Sequence, residues 1–265
     1  MTISIIIINF NSKKYLEKCL LSIHEKILLS ARNRFFFEII VINNEKEPLL
    51  LDSDFLPKPK IIHNPKNTGF GSGSNLGAKQ AKGDYLFFLN PDVKLLDDSL
   101  LDMIEYIDSR SEIGIIGPKL LLSQTGLPQP WTSGKKTSLW SIVFRNTIGK
   151  PWNKKKPVLV DWVSGTALLI RKKLYEKING FDEKFFMYFE DQDLCLRAKE
   201  QGAKVLFYPH ARIIHFSGKS WSGSKSQKKY YYQSQEYFFS KHHGTIQKKI
   251  LNFLSLLRKH LVSKP

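Results

Sequence analysis

The chain has 265 residues, of which 42% are hydrophobic and 25% charged, a composition typical of a globular protein and not of a disordered one. Its longest apolar runs are far shorter than the roughly 18 residues that a membrane span requires, and residues 1–10 resemble a first strand more than a signal peptide, so we expect a cytoplasmic protein. The formal net charge of +17, from 41 Lys and Arg against 24 Asp and Glu, predicts an anionic partner such as nucleic acid, lipid head groups or a phosphorylated substrate.

Strand and helix patterns alternate along the first half of the chain. Residues 3–8 form a continuous β-branched run, which is typical of a strand buried on both faces, and residues 13–23 repeat apolar side chains at helical spacing. Both cysteines, Cys19 and Cys195, lie in apparently helical stretches and are expected to be core residues. Further elements are predicted as strands at 36–42 and 60–63, a glycine-rich loop at 69–73 leading into a helix through 81, a strand at 85–89 and a helix at 99–109.

The second half begins with a predicted strand at 113–118 and then loses its periodicity over residues 119–157. Three tryptophans in this stretch, Trp131, Trp140 and Trp152, lie among lysines and are predicted to be exposed for glycolipid contact or lid closure. Order returns with the segment 161–170, a short helix through 178, an acidic helix at 190–202 and a strand at 204–209.

Alternating strands and helices predict an α/β fold with an open, mostly parallel mixed sheet flanked by helices. Ligands of such sheets bind outside the carboxyl ends of the strands, where Asn9, Asn43 and Asp92 are expected. We predict one domain over residues 1–216, with a first half to about 118 and a second half from 119, followed by a basic helical extension over 217–265.

The predicted strand at 85–89 ends on the sequence Asn90-Pro91-Asp92. A turn that is stiffened by proline and carries a carboxylate suits a hard cation, Mg²⁺ or Mn²⁺, which would in turn bind a diphosphate. An ordinary turn is the simpler interpretation of this sequence taken alone.

Four segments in order are similar to the family 2 glycosyltransferases, which have the GT-A (Rossmann-like) fold, and especially to the rhamnosyltransferase-like branch of bacterial polysaccharide enzymes. They are SIIIINFNSKKYLEKCLLSI, NPKNTGFGSGSNLGAKQAKGDYLFFLNPDV, DWVSGTALLIRKKLYEKINGFDEKFFMYFEDQDLCLRAKEQG and PHARIIHFSGKS. The resemblance covers residues 3 to about 244. It implies an inverting transfer of a sugar, with rhamnose as a candidate, from a dTDP- or UDP-linked donor to a saccharide or lipid-linked saccharide during cell-surface polysaccharide synthesis.

The resemblance also implies roles for acidic residues and a histidine. Asn90 and Asp92 match the metal-binding motif, with Asn90 in place of its first aspartate, and His215 matches a histidine that completes the metal or diphosphate site. Asp191 matches the general base, preceded by Glu190. The acids Glu190, Asp191 and Asp193 are also typical of a helix start, an interpretation compatible with the first, whereas His215 is equally typical of a partly buried strand end.

The remaining predicted site residues line the donor and acceptor. On the donor side the resemblance implies that the base and ribose contact Asn9, Phe10, Asn11, Asn43 and Asn44, and that the donor also contacts Asn67, Gly69, Phe70 and Asn75. The family commonly has Asp at the position of Asn43, but an amide carbonyl can still accept a hydrogen bond from a pyrimidine imide. On the acceptor side it implies Trp162, Ser164 and Gly165, although Trp162 could equally be a core residue.

The basic tail supports two other interpretations. Residues 244–262 form an amphipathic pattern with apolar Ile246, Ile250, Phe253, Leu254, Leu257 and Leu261, which predicts either an anionic membrane surface as partner or a helix packed on its own domain. The tyrosine-rich segment KSQKKYYYQSQEYFF would suit nucleic-acid binding, but carboxylates at the strand ends argue against that partner. A protein that binds a nucleotide without turnover is a third hypothesis, because Asn43 and Asn90 replace acids.

Overall fold

A computed structural model describes residues 1–30, 34–53, 55, 57–143, 151–216, 224–244, 246–247 and 249–251. The strands are β1 (Thr2–Asn9), β2 (Phe36–Asn43), β3 (Lys60–His63), β4 (Tyr85–Leu89), β5 (Val93–Leu95), β6 (Ile113–Leu122), β7 (Ser133–Gly134), β8 (Val158–Val160), β9 (Trp162–Val163), β10 (Ala167–Arg171) and β11 (Lys204–His215). The helices are α1 (Lys13–Ile23), α2 (Phe70–Gln80), α3 (Ser99–Asp108), α4 (Leu139–Val143), α5 (Lys172–Lys177), α6 (Glu190–Glu200) and α7 (Ser224–His242).

Within the described residues, nine strands form one mixed sheet in the order β3-β2-β1-β4-β10-β6-β11-β5, with β8 also paired to β11. The pairs that join β3, β2, β1 and β4 are parallel, as is the long pairing of β6 with β11, whereas β10 runs antiparallel to both of its neighbours. The predicted mixed α/β sheet flanked by helices is therefore confirmed. The register aligns Asn9 with Asn43, so these two strand ends lie side by side.

Helices cover both faces of the sheet, which explains why β1 has no polar alternation. Ile3, Ile5 and Ile7 pack with apolar residues of α1 and α3 on one face. Ile6 and Ile8 pack with residues of α2, α5 and α6 on the other face. Full burial of one such side chain stabilises the fold by roughly 1.5–3 kcal/mol, so a strand apolar on both faces is held firmly in the sheet. Cys19 and Cys195 are free thiols buried in these two cores, as predicted.

A third cluster joins α7 to α6 and to the segment before it. Its buried members are Phe185, Phe189, Leu196, Phe238, Phe239 and Leu251. The tyrosine-rich segment of the sequence is thus α7, and its apolar rings face the protein. Tyr231 and Tyr237 pack against the same cluster, whereas Tyr232 is half exposed.

The glycine-rich residues 69–73 do not form the predicted loop, because α2 begins at Phe70 directly after Gly69. A Cβ at Gly77 would lie 2.5 Å from Ile6 Cγ2, and one at Gly73 would lie 3.3 Å from Ile8 Cγ2. The glycines therefore allow α2 to approach β1 closely, and this packing outweighs their low helix propensity.

The strand predicted at 204–209 continues to His215. A register shift between Tyr208 and Arg212 accommodates Pro209, whose missing N–H would otherwise interrupt the ladder. The described residues of the stretch 119–157 include β7 and α4. Trp152 is only 7% exposed and lies 5.2 Å from the ring of Trp131, so its predicted exposure is wrong, whereas Trp140 is exposed.

The predicted amphipathic tail lies mostly outside the described residues, which stop at Leu251 and omit residues 245 and 248. Phe253, Leu254, Leu257 and Leu261 are among the residues outside. Of the described tail residues, Ile246 and Ile250 are exposed and Leu251 is buried. None of the helices in the described ranges combines the length and the apolar composition needed to cross a membrane.

Candidate active site

The turn Asn90-Pro91-Asp92 is fixed between two strands. The Asn90 N–H donates to the carbonyl of Thr166 at 2.9 Å, directly before β10, and the Asp92 carbonyl accepts from the N–H of Phe216, directly after β11, also at 2.9 Å. Asp92 has no exposed surface. A buried carboxylate of this kind is costly unless a hydrogen-bond donor or a cation compensates its charge.

His215 lies beside Asp92. Its Nε2 is 3.3 Å from Asp92 Oδ1, while its Nδ1 is 2.8 Å from Gln129 Oε1. An amide oxygen only accepts, so Nδ1 carries a proton and donates to Gln129, and a ring whose single proton is on Nδ1 has its Nε2 lone pair toward the carboxylate. A nitrogen and an oxygen acceptor that face each other are the type of ligand pair that binds a divalent cation.

This pair fits a metal that is shared with a substrate. In the described part of the chain, no group of three or more His, Cys, Asp and Glu side chains is arranged to hold a metal ion. Mg²⁺ and Mn²⁺ sites with one or two protein ligands are completed by phosphate oxygens and waters. Asp92 and His215 could hold a metal in that way, and Asn90 adds no charge.

The predicted base Asp191 lies in the first turn of α6. Its Oδ2 accepts from the Gly165 N–H at 2.9 Å and its Oδ1 accepts from the Gln192 N–H at 2.7 Å. Burial raises the pKa of this carboxyl above its usual range, although these hydrogen bonds oppose the rise. A raised pKa makes the carboxylate a stronger proton acceptor, and part of the residue remains exposed.

Glu190 differs from its neighbour because it is only 7% exposed and its Oε2 has no hydrogen-bond partner among the residues that the structure describes. Desolvation by burial raises the pKa of Glu190 well above its ordinary value, and repulsion from the charges of Asp191 and Asp193 raises it further. Glu190 is therefore the carboxyl of this pair that holds its proton.

The turn that precedes these acids is strained. Tyr188 and Phe189 have φ angles of 69° and 67°, so two consecutive non-glycine residues occupy the left-handed region. Each such residue costs on the order of 1–3 kcal/mol and persists only where its surroundings enforce it. Such strain often occurs at functional sites.

Two adjacent residues connect the predicted base Asp191 to the Asn90-Pro91-Asp92 turn. The Gly165 N–H bonds to Asp191, and the carbonyl of Thr166 bonds to the N–H of Asn90. The first turn of α6 and the turn after β4 are therefore held together through one dipeptide. The structure thus brings together the two acidic segments, which are a hundred positions apart in sequence.

The ends of β1 and β2 form a compact network of amides. Asn9 Nδ2 donates to Asn43 Oδ1 at 2.9 Å and to Glu45 Oε1 at 2.7 Å. Asn43 Nδ2 donates to the carbonyl of Glu47 at 2.8 Å, and Asn43 is 1% exposed. Asn43 is thus engaged within the protein, and its contact with a nucleobase stays a prediction. The partly exposed carboxylate at this edge belongs to Glu45, which also accepts from the Asn11 N–H.

Other predicted donor residues extend from this network. Asn44 is buried and donates to Asn67 Oδ1 at 3.2 Å, and the same oxygen accepts from the Gly69 N–H. Phe10 is half-buried and Asn11 is exposed, at the end of β1. These residues therefore lie at the carboxyl edge of the sheet.

Phe70 and Asn75 face the acceptor half instead. The ring of Phe70 packs 5.7 Å from that of Phe181 and borders Gly165. Asn75 Nδ2 donates to the Phe181 carbonyl and its Oδ1 accepts from the Phe181 N–H, both at 2.9 Å, and these bonds tie α2 to the following half of the chain. The Phe70 N–H donates to the carbonyl of Phe186 and the Gly73 N–H to that of Gly69, whereas the first turn of a helix leaves other N–H groups free of intrahelical bonds, so backbone donation from this segment to the donor stays a prediction.

The predicted acceptor residues divide into core and rim. Trp162 is 6% exposed and its Nε1 donates to the carbonyl of Lys135 at 3.1 Å, so it is a core residue and cannot stack on a sugar as it stands. Ser164 is half-buried and its Oγ donates to Thr166 Oγ1 at 3.1 Å. Gly165 contributes the N–H that holds Asp191.

Sequence reasoning missed Glu45, Gln129 and Thr166. Glu45 follows the end of β2 by two residues, Gln129 lies in the segment without periodicity, and Thr166 acts through its backbone. A charged residue just past a strand end was the available signal for Glu45. Gln129 had no comparable signal.

The chain matches the glycosyl transferase family 2 over residues 4–178, and residues 155–219 match the N-terminal domain of galactosyltransferase. It is 31% identical to the rhamnosyltransferase WbbL of Escherichia coli over 163 residues, which cover 56% of this chain and 61% of WbbL. It is 25% identical to the N-acetylglucosaminyl-diphospho-decaprenol L-rhamnosyltransferase of Mycobacterium tuberculosis over 190 residues, covering 62% of this chain and 61% of that enzyme.

Solved structures share the fold at low sequence identity. GalNAc-T7 with UDP, GalNAc and Mn²⁺ superposes with a TM-score of 0.62 at 17% identity, over 91% of this chain and 50% of that one. Staphylococcus aureus TarS in complex with UDP-GlcNAc gives a TM-score of 0.54 at 17% identity, over 81% and 58% of the two chains. Since the family match alone extends through most of the sheet, the chain belongs to glycosyl transferase family 2, and within it the chain is similar to the rhamnosyltransferase-like branch.

Proposed function

We propose that the protein is a metal-assisted, inverting glycosyltransferase that moves a sugar from a dTDP- or UDP-linked donor to a saccharide or lipid-linked saccharide in cell-surface polysaccharide synthesis. The names of its relatives support rhamnose as the sugar. The UDP-bound structures of TarS and GalNAc-T7 support a pyrimidine donor, and the second also supports Mn²⁺.

The observation that carries the proposal is the dipeptide that joins the two acidic segments. Transfer requires a group that assists departure of the diphosphate and a base that activates the acceptor, on the same cleft. Gly165 and Thr166 hold Asp191 and Asn90 through hydrogen bonds of 2.9 Å each, and Asp92 follows Asn90 by two residues.

On the donor side, Asp92 and His215 would hold the divalent cation. When bound, Mg²⁺ or Mn²⁺ neutralises the negative charge that develops on the departing nucleoside diphosphate. The buried Asp92 carboxylate would contribute a negatively charged oxygen ligand, and the His215 Nε2, 3.3 Å from it, would contribute a nitrogen ligand.

On the acceptor side, Asp191 takes the proton from an acceptor hydroxyl as its oxygen attacks the anomeric carbon. The bond from that carbon to the diphosphate oxygen breaks, and the bonding electrons leave with the nucleoside diphosphate. The N–H groups of Gly165 and Gln192 fix the direction of the carboxylate. Burial raises the pKa of Glu190 well above its ordinary value, which favours its neutral form and leaves Asp191 as the proton acceptor.

The test measures release of nucleoside diphosphate from a panel of dTDP- and UDP-sugars with saccharide acceptors, in the presence and absence of Mn²⁺. We expect Asp191→Asn to lower the transfer rate by about 10²–10⁴-fold, the range for loss of a general base, while binding of the nucleotide persists. Glu200→Gln, on the exposed end of the same helix, is the matched control. A full transfer rate in Asp191→Asn would refute the role of this residue.

Binding without turnover remains the alternative that Asn90 and Asn43 favour. Thermal shifts with dTDP and UDP, with and without Mn²⁺, separate the nucleotide-binding hypotheses from nucleic-acid binding, since only the former predict stabilisation. A single-turnover assay then separates a transferase from a protein that only binds. Contact between the basic tail and anionic lipid belongs to the same proposal and is measured by vesicle sedimentation.

A further inference from the structure

The strained turn before the predicted base is covered by α7. Ser234 Oγ donates to the carbonyl of Met187 at 2.7 Å, one residue before the first strained position. The ring of Tyr188 lies 5.6 Å from that of Tyr231. Phe189, which directly precedes α6, lies 5.2 Å from the ring of Phe238. Each left-handed residue thus has a contact on α7.

The end of α7 also binds the first turn of α6 through ionic contacts. Asp193 is fully buried, and its Oδ1 lies 2.6 Å from Lys241 Nζ and 2.8 Å from His242 Nε2. Lys241 additionally contacts Asp182 at 2.7 Å, before the turn. The segment that carries Asp191 is therefore bound to α7 on both sides of the strained residues.

These contacts differ from those of the donor edge. The ends of β1, β2 and β4 are positioned by the sheet, and the hydrogen bonds described for them involve no residue of α7. Tyr230 of α7 stacks on Phe186, whose carbonyl accepts from the Phe70 N–H, so only a disturbance at Ser234 or Phe238, away from that contact, should displace Asp191 and leave nucleotide binding intact.

We propose that α7 is a positioning element for the base, in which Ser234 and Phe238 hold the turn at Tyr188 and Phe189 so that Asp191 meets the N–H of Gly165. The expected effect on kcat rests on the proposed role of Asp191. The expected effect on the structure, that α7 enforces the turn, does not depend on the reaction. The tyrosine-rich segment thereby has a function other than binding an external polymer.

The test uses the full chain with Ser234→Ala, which removes one hydrogen bond, and Phe238→Leu, which keeps apolar volume but removes the ring contact with Phe189. Gln233→Ala is the matched control, because Gln233 is exposed and precedes Ser234 on the same helix. Steady-state kinetics give kcat and the donor KM, and nucleotide titration gives the fraction of each variant that is folded and competent.

We expect kcat to fall about tenfold or more in Phe238→Leu and several-fold in Ser234→Ala, with the donor KM unchanged within about twofold, because displacement of a base affects only the chemical step. Hydrogen exchange should accelerate about fivefold or more in peptides covering residues 163–167 and 188–194, as expected when a local restraint is lost. Gln233→Ala should match the wild type in every measurement.

Equal exchange in Ser234→Ala, Phe238→Leu and the control would overturn the proposal. So would a loss of kcat accompanied by an equal loss of nucleotide binding, since that indicates general damage. If the wild type transfers no sugar from any donor, the proposed function fails, and the exchange measurement alone decides whether α7 holds the turn.

Discussion

Replacing Asp193 by Asn tests how strongly α7 is bound to α6. The Asp193 carboxylate is fully buried and lies 2.8 Å from Arg197 Nε, 2.6 Å from Lys241 Nζ and 2.8 Å from His242 Nε2. Asparagine keeps the shape of the side chain but removes the charge. The cations of Arg197 and Lys241 then lose a partner in a largely desolvated position.

The expected loss in the free energy of unfolding follows from the pKa of Asp193. Hydrogen bonds from His242 and Lys241 and the charge of Arg197 outweigh desolvation and lower this pKa from 3.8 to about 2. One pKa unit corresponds to about 1.4 kcal/mol, so the charge contributes roughly 2.5 kcal/mol to the free energy of unfolding at neutral pH. Removing one member of a buried ion pair costs about 3–5 kcal/mol when its partner remains, so we expect a loss of about 2–4 kcal/mol.

The assay is urea unfolding of the wild type, Asp193→Asn and the control Glu200→Gln across a pH series. Because the folded pKa is depressed, the stabilisation is fully present above the unfolded pKa of 3.8 and is lost as the pH falls toward about 2. The difference between wild type and Asp193→Asn should therefore narrow below about pH 5. A difference under about 0.5 kcal/mol at pH 7, or one that does not change with pH, would refute the reasoning.

Three further predictions concern the same region. Glu190→Gln should have a higher thermal midpoint than the wild type, and the difference between the two midpoints should grow as the pH rises above 4.5. The raised pKa of Glu190 means that ionisation of this residue in the unfolded state destabilises the folded wild type. A difference in midpoint that does not change with pH would contradict this. Gly69→Ala should destabilise the fold by more than about 2 kcal/mol in urea, since its φ is 96° and a Cβ would lie 2.3 Å from the Phe186 carbonyl oxygen, whereas Gly126→Ala, with φ of 67° and open space around it, should cost about 1 kcal/mol. The acidic limb of the kcat–pH profile should lie above pH 3.8 because burial raises the pKa of Asp191, and a limb at or below that value would remove Asp191 as the titrating base.

The main strands could be predicted because their signal is local. Runs such as residues 3–8 are β-branched throughout, and burial on both faces follows directly from that pattern. The three-residue strands β5 and β8 could not be predicted, because each is defined by its pairing with β11 and not by its own sequence. The start of α2 was misjudged for a related reason, since contact with β1 overrides the propensity of its glycines.

The candidate site divides in a similar way. Asp92 and Asp191 stand in recognisable motifs, so their neighbourhood could be predicted before the fold was known. The Gly165 N–H orients Asp191, the Thr166 carbonyl holds Asn90, and Gln129 holds His215. Two of these three contacts use backbone atoms that no side-chain pattern reveals. The packing of α7 on the strained turn was also beyond a sequence argument, because a tyrosine-rich basic segment has the same composition whether its rings face inward or outward.

The bond from Thr166 to Asn90 and that from Gly165 to Asp191 have a mechanical consequence. Because neighbouring residues serve both halves of the molecule, a slip of β10 by one position along β4 would misalign the two acidic segments simultaneously. A shift of β10 that moves one acidic segment therefore also moves the other. Under the proposed function, differences in the sugar or the acceptor would arise in loops and side chains around the fixed dipeptide Gly165-Thr166.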